Sequence, residues 1–136
     1  MVTEIAEHGP DVARDAHRPW GSWHVIDDGQ GYKVKRIHVL PGQRMSYQTH
    51  QYRSEHWVVI YGMATCVIDG RTTVAGPGES VDVPQGAAHR ICNEHAEELI
   101  IIEVQHGAYT GEDDICRLED DYGREEAVAG ASTSVG

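Results

Sequence analysis

The sequence predicts a single all-β domain, and three observations lead to that prediction. Its 136 residues suit one compact domain of ordinary size. Short runs of β type follow one another closely along the chain. Gly, Pro and Asp residues that form turns separate these runs, and no convincing amphipathic helix precedes residue 110. This pattern is typical of a small barrel or a double-sheet jelly roll.

Eight strands are predicted in order along the chain. They span residues 31–40, 45–50, 55–61, 63–69, 71–75, 80–83, 89–93 and 99–105. The turns between them are chemically explicit and include Pro41-Gly42, Asp69-Gly70, Gly76-Pro77-Gly78 and Pro84-Gln85-Gly86. Residues 111–121 carry acidic side chains near their start, which favours a short helix there.

The two ends of the chain differ in composition from its middle. Residues 1–18 are polar and aperiodic, which predicts a flexible arm, and residues 125–136 are small and predict a disordered tail. The folded domain is therefore expected over residues 19–124. The first segment lacks the apolar core of a signal peptide, and no window approaches the ~18 apolar residues of a membrane span. We expect a cytoplasmic protein without a membrane partner.

Charge narrows the classes of partner. The chain has 22 acidic and 11 basic residues and a net charge of −11, which argues against a nucleic acid or an anionic membrane as principal partner. Nine of the 11 basic residues are Arg, whose planar fork suits phosphate oxygens. Half of the acidic residues lie within 97–126, so the net charge of the whole chain does not determine the sign of the charge inside a pocket. The three cysteines suit neither a disulfide framework nor a zinc knuckle.

Four polar residues stand at a spacing that suggests a metal site. Gln48 and His50 are two apart, so on a strand their side chains leave the same face. A hairpin turn through 51–54 would make Glu55 a cross-strand neighbour of His50, with Cβ atoms about 5 Å apart. His89 then arrives on a different strand. Two imidazoles, a carboxylate and an amide oxygen suit one divalent ion, with Zn, Mn, Fe, Co and Ni all open.

Two stretches of the chain resemble the motifs of the cupin superfamily. Residues 42–62 resemble its first motif, with Gln48 in place of the first His. The second motif is matched at every position, by Gly78, Pro84, Gly86, His89 and Asn93. This resemblance implies a single cupin jelly-roll barrel, here with the short C-terminal helix predicted above. The fold hosts many activities, so it does not by itself indicate a reaction.

The surrounding sequence resembles a narrower group, the type II phosphomannose isomerases. The resemblance covers about residues 18–124 and rests on Arg18-Pro19-Trp20-Gly21, residues 32–37, residues 53–57, residues 103–117 and Tyr122-Gly123-Arg124. In that family the domain is usually the C-terminal part of a bifunctional mannose-1-phosphate guanylyltransferase. The nucleotidyltransferase part is absent from this sequence, so guanylyl transfer is not expected. Departures from the family pattern occur at Met45, Tyr47, Gln51 and Tyr52.

The resemblance implies a metal-dependent isomerase that interconverts mannose 6-phosphate and fructose 6-phosphate through an enediol, on the way to nucleotide sugars and polysaccharides. The metal ligands would be Gln48, His50, Glu55 and His89. The base stays open among Glu103, Asp113, Asp114 and a metal-bound hydroxide. Arg117 is expected to stabilise the enediolate, and the residues expected to face the sugar phosphate are Arg53, Arg124, Lys35 and Arg90.

Two other functions and one assembly also fit the sequence. A non-catalytic cupin would bind a sugar phosphate as a sensor or as a subunit docked to a separate guanylyltransferase. A cupin with another substrate would be an isomerase or an oxygenase, since two His and one carboxylate also serve non-haem iron. Jelly rolls of this size often pair through an outer sheet face, so we expect a homodimer in which Trp20 and Trp23 contribute to that face.

Overall fold

The computed structural model describes residues 14–124, which form eleven β-strands and no helix. The strands are β1 (Asp15–Arg18), β2 (Gly21–Gly29), β3 (Tyr32–Val39), β4 (Tyr47–Thr49), β5 (Arg53–Tyr61), β6 (Ala64–Ile68), β7 (Arg71–Ala75), β8 (Ser80–Val83), β9 (His89–Cys92), β10 (Leu99–Gly107) and β11 (Cys116–Glu119). None of the described segments is an apolar helix of the length that would cross a membrane.

The strands form two antiparallel sheets that face each other as a jelly-roll barrel, as predicted. The first sheet has six strands in the order β1-β2-β3-β10-β5-β8. The second sheet has five strands in the order β11-β4-β9-β6-β7. Alternate residues of β3, β5 and β10 are buried between the sheets, which is the pattern of strands with one face on a core.

All eight predicted strands are present as β3 to β10, with ends shifted by a few residues. The short helix predicted within 111–121 is wrong, because Cys116–Glu119 form β11 and pair with β4. An isolated helix of this length is marginal, so a few acidic residues do not outweigh strand pairing. The sequence also gave no signal for β1 and β2. Strand β1 begins at Asp15, among residues that the prediction assigned to the N-terminal arm, while residues 1–13 and the predicted tail 125–136 lie outside the described residues.

The apolar core lies between the two sheets. It includes Trp57, Ile91, Leu99 and Ile101, none more than 1% exposed. Trp20 and Trp23 belong to this core, with exposures of 4% and 5%. The prediction that they contribute to an outer, dimer-forming face is therefore wrong. The Lys35 ammonium lies 3.8 Å from the centre of the Trp23 ring, inside the barrel.

The inward row of residues changes character along the strands of the first sheet. On β10, the buried apolar residues Leu99 and Ile101 are followed by the buried polar residues Glu103 and Gln105. On β5, the same change occurs from Val59 and Trp57 to Glu55 and Arg53. One end of the barrel interior is therefore apolar and the other is lined by polar side chains. The polar end holds the candidate functional site.

Candidate metal centre

Three of the four predicted metal ligands meet in one buried cluster. His50 follows β4, Glu55 lies on β5, and His89 is the first residue of β9. The Nε2 atom of His50 lies 3.1 Å from one Glu55 carboxylate oxygen, and the Nε2 atom of His89 lies 3.7 Å from the other. The ligand atoms of the three residues all lie within 4.8 Å of one another, an arrangement able to hold a metal ion.

These residues approach each other by a different route from the predicted one. Strand β4 pairs with β11 and β9 in the second sheet, whereas β5 pairs with β10 and β8 in the first. The hairpin predicted through residues 51–54 is therefore wrong, because this short connection crosses from one sheet to the other. His50 and Glu55 lie close because the two sheets face each other.

Backbone carbonyls fix the orientation of both imidazoles. The Nδ1 atom of His50 lies 2.6 Å from the carbonyl oxygen of Asp114, and that of His89 lies 2.9 Å from the carbonyl oxygen of Ala87. A carbonyl oxygen only accepts hydrogen bonds, so each Nδ1 carries the hydrogen. Each Nε2 faces Glu55, and in the neutral imidazole with this tautomer it is the atom whose lone pair can bind a metal. This is the usual way in which proteins orient histidines that bind metals.

Gln48, the fourth predicted ligand, is oriented by Ser46. Its amide nitrogen donates to the Ser46 hydroxyl at 2.9 Å and to the Ser46 carbonyl at 3.2 Å. The nitrogen is thereby fixed, so the amide oxygen is the atom of Gln48 that can bind a metal in the cavity that this residue lines. Its strand places it beside the cluster, because Gln48 on β4 pairs with His89 on β9.

The donor set fits a divalent transition metal. Metal–ligand bonds of about 2.0–2.2 Å put neighbouring ligand atoms about 3.0–3.5 Å apart, close to the distances found around Glu55. Burial would raise the pKa of Glu55, but His89, His50 and Arg53 hold that pKa well below its usual range. Burial lowers the pKa of His89. An ionised carboxylate and a neutral imidazole are the forms that bind a metal.

The cluster opens into a cavity whose wall carries more positive than negative side chains. The cationic residues that line it are Arg18, Lys35, Arg53, Arg117 and Arg124, and the acidic ones are Glu55, Glu103 and Glu112. Five cations against three carboxylates give the cavity a positive balance, although the whole chain has a net charge of −11. The arrangement therefore suits an anionic ligand beside a metal site.

Four of the predicted phosphate and enediolate residues line this cavity. Arg53 begins β5, and its Nε atom donates to Glu55 at 2.9 Å. Lys35 donates to Glu112 at 2.8 Å. Arg117 lies on β11 opposite Gln48, and Arg124 makes two hydrogen bonds to the carboxylate of Asp120.

Arg90, the fifth predicted residue, lies elsewhere. Its guanidinium donates to the Met45 carbonyl at 3.1 Å and to Glu119 at 3.2 Å, and it does not line the cavity. Residues next to each other on a strand point to opposite faces, so Arg90 faces away from its neighbour His89. This placement does not support the predicted contact between Arg90 and the sugar phosphate.

Of the predicted bases, Glu103 lies at the centre. The Trp57 indole N–H lies 3.0 Å from Glu55 and 3.2 Å from Glu103, and the Gln105 amide donates to Glu103 at 2.8 Å. Burial, together with the nearby Glu55 carboxylate, raises the pKa of Glu103 to about 8. Glu103 is therefore a buried acid next to the metal ligands and in contact with the cavity.

Asp114 has a different placement. Its carboxylate accepts the backbone N–H groups of Gln51 and Tyr52 at 2.8 and 2.9 Å, and it does not line the cavity. The neighbouring Asp113 accepts the Tyr109 hydroxyl. These contacts do not support the predicted role of either residue as a base. Asp114 instead fixes the loop that follows His50, while its carbonyl holds the His50 ring.

Lys33, Ser46 and Glu112 also lie at or beside the site, although they were not among the predicted residues. Lys33 donates to Glu112 at 3.1 Å and to the Thr110 carbonyl at 2.7 Å, beside Lys35. The alternation along β3 was a usable signal, because Lys33 and Lys35 share the inward face with Ile37. Ser46 likewise shares the parity of Gln48. Nothing in the sequence indicated that Glu112 would reach both lysines.

Comparison with known proteins adds relatives that cover most of the chain. The family described as "Mannose-6-phosphate isomerase C-terminal" matches residues 6–120. Mannose-1-phosphate guanylyltransferase ManC of Salmonella typhimurium is 45% identical over 117 residues, which are 86% of this chain and 24% of that protein. The alginate biosynthesis protein AlgA of Pseudomonas aeruginosa is 46% identical over 81% of this chain and 23% of its own length. The chain thus spans about a quarter of the curated relatives it matches.

A solved structure supports the fold. The Cupin 2 conserved barrel domain protein from Salinispora arenicola aligns with a TM-score of 0.57 and 22% identity, over 63% of this chain and 75% of that one. At this level of identity the likeness concerns the fold alone. The fold implied by the two sequence motifs, a cupin barrel, is confirmed.

The contacts of Asp114 lead to a prediction about metal affinity. Asp114→Ala removes the acceptor for the Gln51 and Tyr52 N–H groups, which loosens the loop whose carbonyl orients His50. Loss of such supporting contacts typically weakens metal binding about 10- to 100-fold. Calorimetric titration with Co²⁺ would measure the loss, with Asp113→Ala as the matched control expected to bind like the wild type. Equal affinities in the two variants would contradict this role of Asp114.

Proposed function

The chain belongs to the mannose-6-phosphate isomerase C-terminal family, and from that premise we propose that it is a metal-dependent isomerase interconverting mannose 6-phosphate and fructose 6-phosphate through an enediol. One observation carries the proposal. A single cavity joins a preformed set of nitrogen and oxygen donors to five cationic side chains. It therefore offers one place for the reacting oxygens of a sugar and another for its phosphate. The guanylyl transfer in the relatives' names is not proposed for this region.

The residues that would hold the ion are Gln48, His50, Glu55 and His89. A bound divalent ion supplies Lewis-acid polarisation of the sugar carbonyl. Gln48 contributes a neutral oxygen where a second carboxylate would add a negative charge. The ligand set therefore compensates less of the ion's charge and leaves more of it to act on the substrate.

Glu103 is our choice for the group that moves the proton between adjacent carbons of the sugar. Such a group must accept a proton and return it, which is easiest when its pKa lies near the working pH. Burial and the neighbouring Glu55 raise the pKa of Glu103 to about 8. The hydrogen bond from Gln105, 2.8 Å long, holds the carboxyl in place. Asp114 is not proposed as a base, because its carboxylate binds the loop backbone.

The cationic side chains would bind the negative charges of the substrate. Arg117 lies opposite Gln48, so we assign it to the charge that develops on the enediolate oxygens. Arg53, Arg124 and Lys35 are assigned to the phosphate. Lys35 forms an ion pair with Glu112, and the negative charge of this carboxylate stabilises the buried ammonium when no substrate is bound.

The same proposal suggests a metabolic setting. AlgA, one of the relatives, is named for alginate biosynthesis, so we propose that the product enters nucleotide-sugar and polysaccharide synthesis. A sugar phosphate carries charge that an apolar bilayer excludes. We therefore place the protein in the cytoplasm, with its substrate.

We also propose that the protein is a homodimer. The outward row of the first sheet contains half-buried β-branched residues at its centre, with Val34 opposite Val104 and Ile102 opposite Val58. A second copy would cover this stripe with the same stripe of its own, as in a two-fold symmetric interface.

Turnover and its metal dependence test the function directly. We expect the protein to convert mannose 6-phosphate to fructose 6-phosphate with added Zn²⁺, Mn²⁺ or Co²⁺, and to lose this activity with a chelator. His89→Ala should lose both metal and activity, whereas the exposed control His95→Ala should keep both. Absence of turnover with every metal would refute the isomerase. If substrate bound under those conditions, the non-catalytic sugar-phosphate protein would be favoured instead.

Glu103→Gln separates proton transfer from metal binding. Glutamine keeps the size of the side chain but cannot carry the proton, and its one amide oxygen accepts one of the two N–H groups that contact Glu103. We expect kcat to fall about 100-fold or more, with metal affinity and KM within a few-fold of the wild type. The exposed Glu94→Gln is the control. A Glu103→Gln protein with the wild-type kcat would show that another group moves the proton.

A charge placed on the outer stripe tests the dimer. Ile102→Glu should convert a dimeric species to a monomer in light scattering coupled to size exclusion, because the interface would bury an unpaired carboxylate. Val74→Glu makes the same kind of change on the second sheet, where Val74 is 55% exposed, and should leave the assembly intact. A monomeric wild-type protein would overturn the proposed dimer.

A further inference from the structure

Arg53 contacts two atoms that a bound metal would need. Its Nη2 atom lies 3.1 Å from the Nε2 atom of His50 and 2.9 Å from a carboxylate oxygen of Glu55. Its Nε atom also donates to Glu55 at 2.9 Å. All three side chains are buried, with exposures of 4% to 5%. In this arrangement the guanidinium contacts the same ligand atoms that would bind the metal ion.

The contact with His50 and a bound metal exclude each other. The Nδ1 atom of His50 bonds to the Asp114 carbonyl and carries a hydrogen, and the guanidinium of Arg53 can only donate, so Nε2 accepts through its single lone pair. That lone pair serves either an N–H donor or a metal ion. Arg53 cannot resolve the conflict by losing a proton, because a guanidinium stays charged in proteins. The side chain must therefore leave Nε2 when the site is loaded.

The surroundings of Arg53 determine where its N–H groups turn. The guanidinium lines the cavity, and its Nη1 atom has no hydrogen-bond partner within residues 14–124. The cavity that Arg53 lines is therefore the space into which the N–H groups released from His50 can turn. A buried cationic donor without a partner is costly and favours an anion as its acceptor.

We propose that metal binding primes the anion site: loading the ion forces Arg53 off His50 and presents its N–H groups to the phosphate of the substrate. The inference rests on the proposed function and adds an order to it, with the metal first and the sugar phosphate second. Coupling between two sites is reciprocal, so an anion in the cavity also tightens the binding of the metal. Arg53 thus binds the phosphate and links the two sites.

The first measurement is the Co²⁺ affinity of the full chain by calorimetry. Arg53→Gln replaces the guanidinium by a shorter, neutral amide, so this variant should bind Co²⁺ about 10-fold more tightly than the wild type. Arg36→Gln removes the same charge from an exposed position of β3 and should bind like the wild type. Arg53→Lys keeps the charge without the two-nitrogen fork, should also bind more tightly, and serves if the glutamine variant does not fold. Unchanged affinity in either Arg53 variant would overturn the inference.

The second measurement is the effect of sulfate, a dianion that resembles a phosphate group, on Co²⁺ binding. Saturating sulfate should tighten Co²⁺ binding to the wild type about five-fold or more, and this effect should disappear in Arg53→Gln. The same coupling in the variant would show that Arg53 does not link the sites. If neither protein bound Co²⁺, Zn²⁺ or Mn²⁺, the metal site and the proposed function would fail together with the inference. Metal binding without coupling would refute the inference alone.

Discussion

The buried carboxylate of Glu55 is the constraint on which the site depends. A carboxylate only 4% exposed stays ionised only when positive or hydrogen-bonding partners surround it. Glu55 has such partners from both sheets and from its own strand, namely His50, His89, Arg53 and Trp57. A metal ion and a guanidinium are two solutions to the same electrostatic requirement. The competition that we propose between them arises at the neighbouring Nε2 atom of His50, which Arg53 contacts and a metal would need.

The parts of the fold that could be predicted from the sequence are those with local signals. Strands β3 to β10 have clear alternation and are bounded by Gly and Pro turns. Strands β1, β2 and β11 have weaker patterns; β1 and β2 form hairpins with their sequence neighbours, whereas β11 depends on pairing with the distant strand β4. The helix expected within 111–121 failed for the same reason, since a local preference of a few tenths of a kcal/mol does not outweigh strand pairing.

The candidate site also has a part that the sequence indicated and a part that it did not. The spacing and the motif residues found the cluster of His50, Glu55 and His89, because ligand types at strand spacing are visible in one sequence. The contacts that orient these ligands were not visible, since the Asp114 carbonyl belongs to the backbone of a loop 64 residues away. Arg90 shows that nearness in the sequence can mislead on a strand. Its nearness to His89 in the sequence suggested a shared role, but adjacent strand residues face opposite sides of a sheet.

The loop over residues 108–115 has two attachments to the site, through the Glu112 carboxylate to Lys33 and Lys35 and through the Asp114 carbonyl to His50. Its length must therefore satisfy two separate requirements. Glu112 has to reach and neutralise the buried lysines, and the Asp114 carbonyl has to orient the imidazole of His50. An insertion or deletion there would disturb both at once. Divergence of substrate preference among relatives is thus expected through side-chain exchange on the cavity wall, at positions such as Met45, while this loop keeps a constant length.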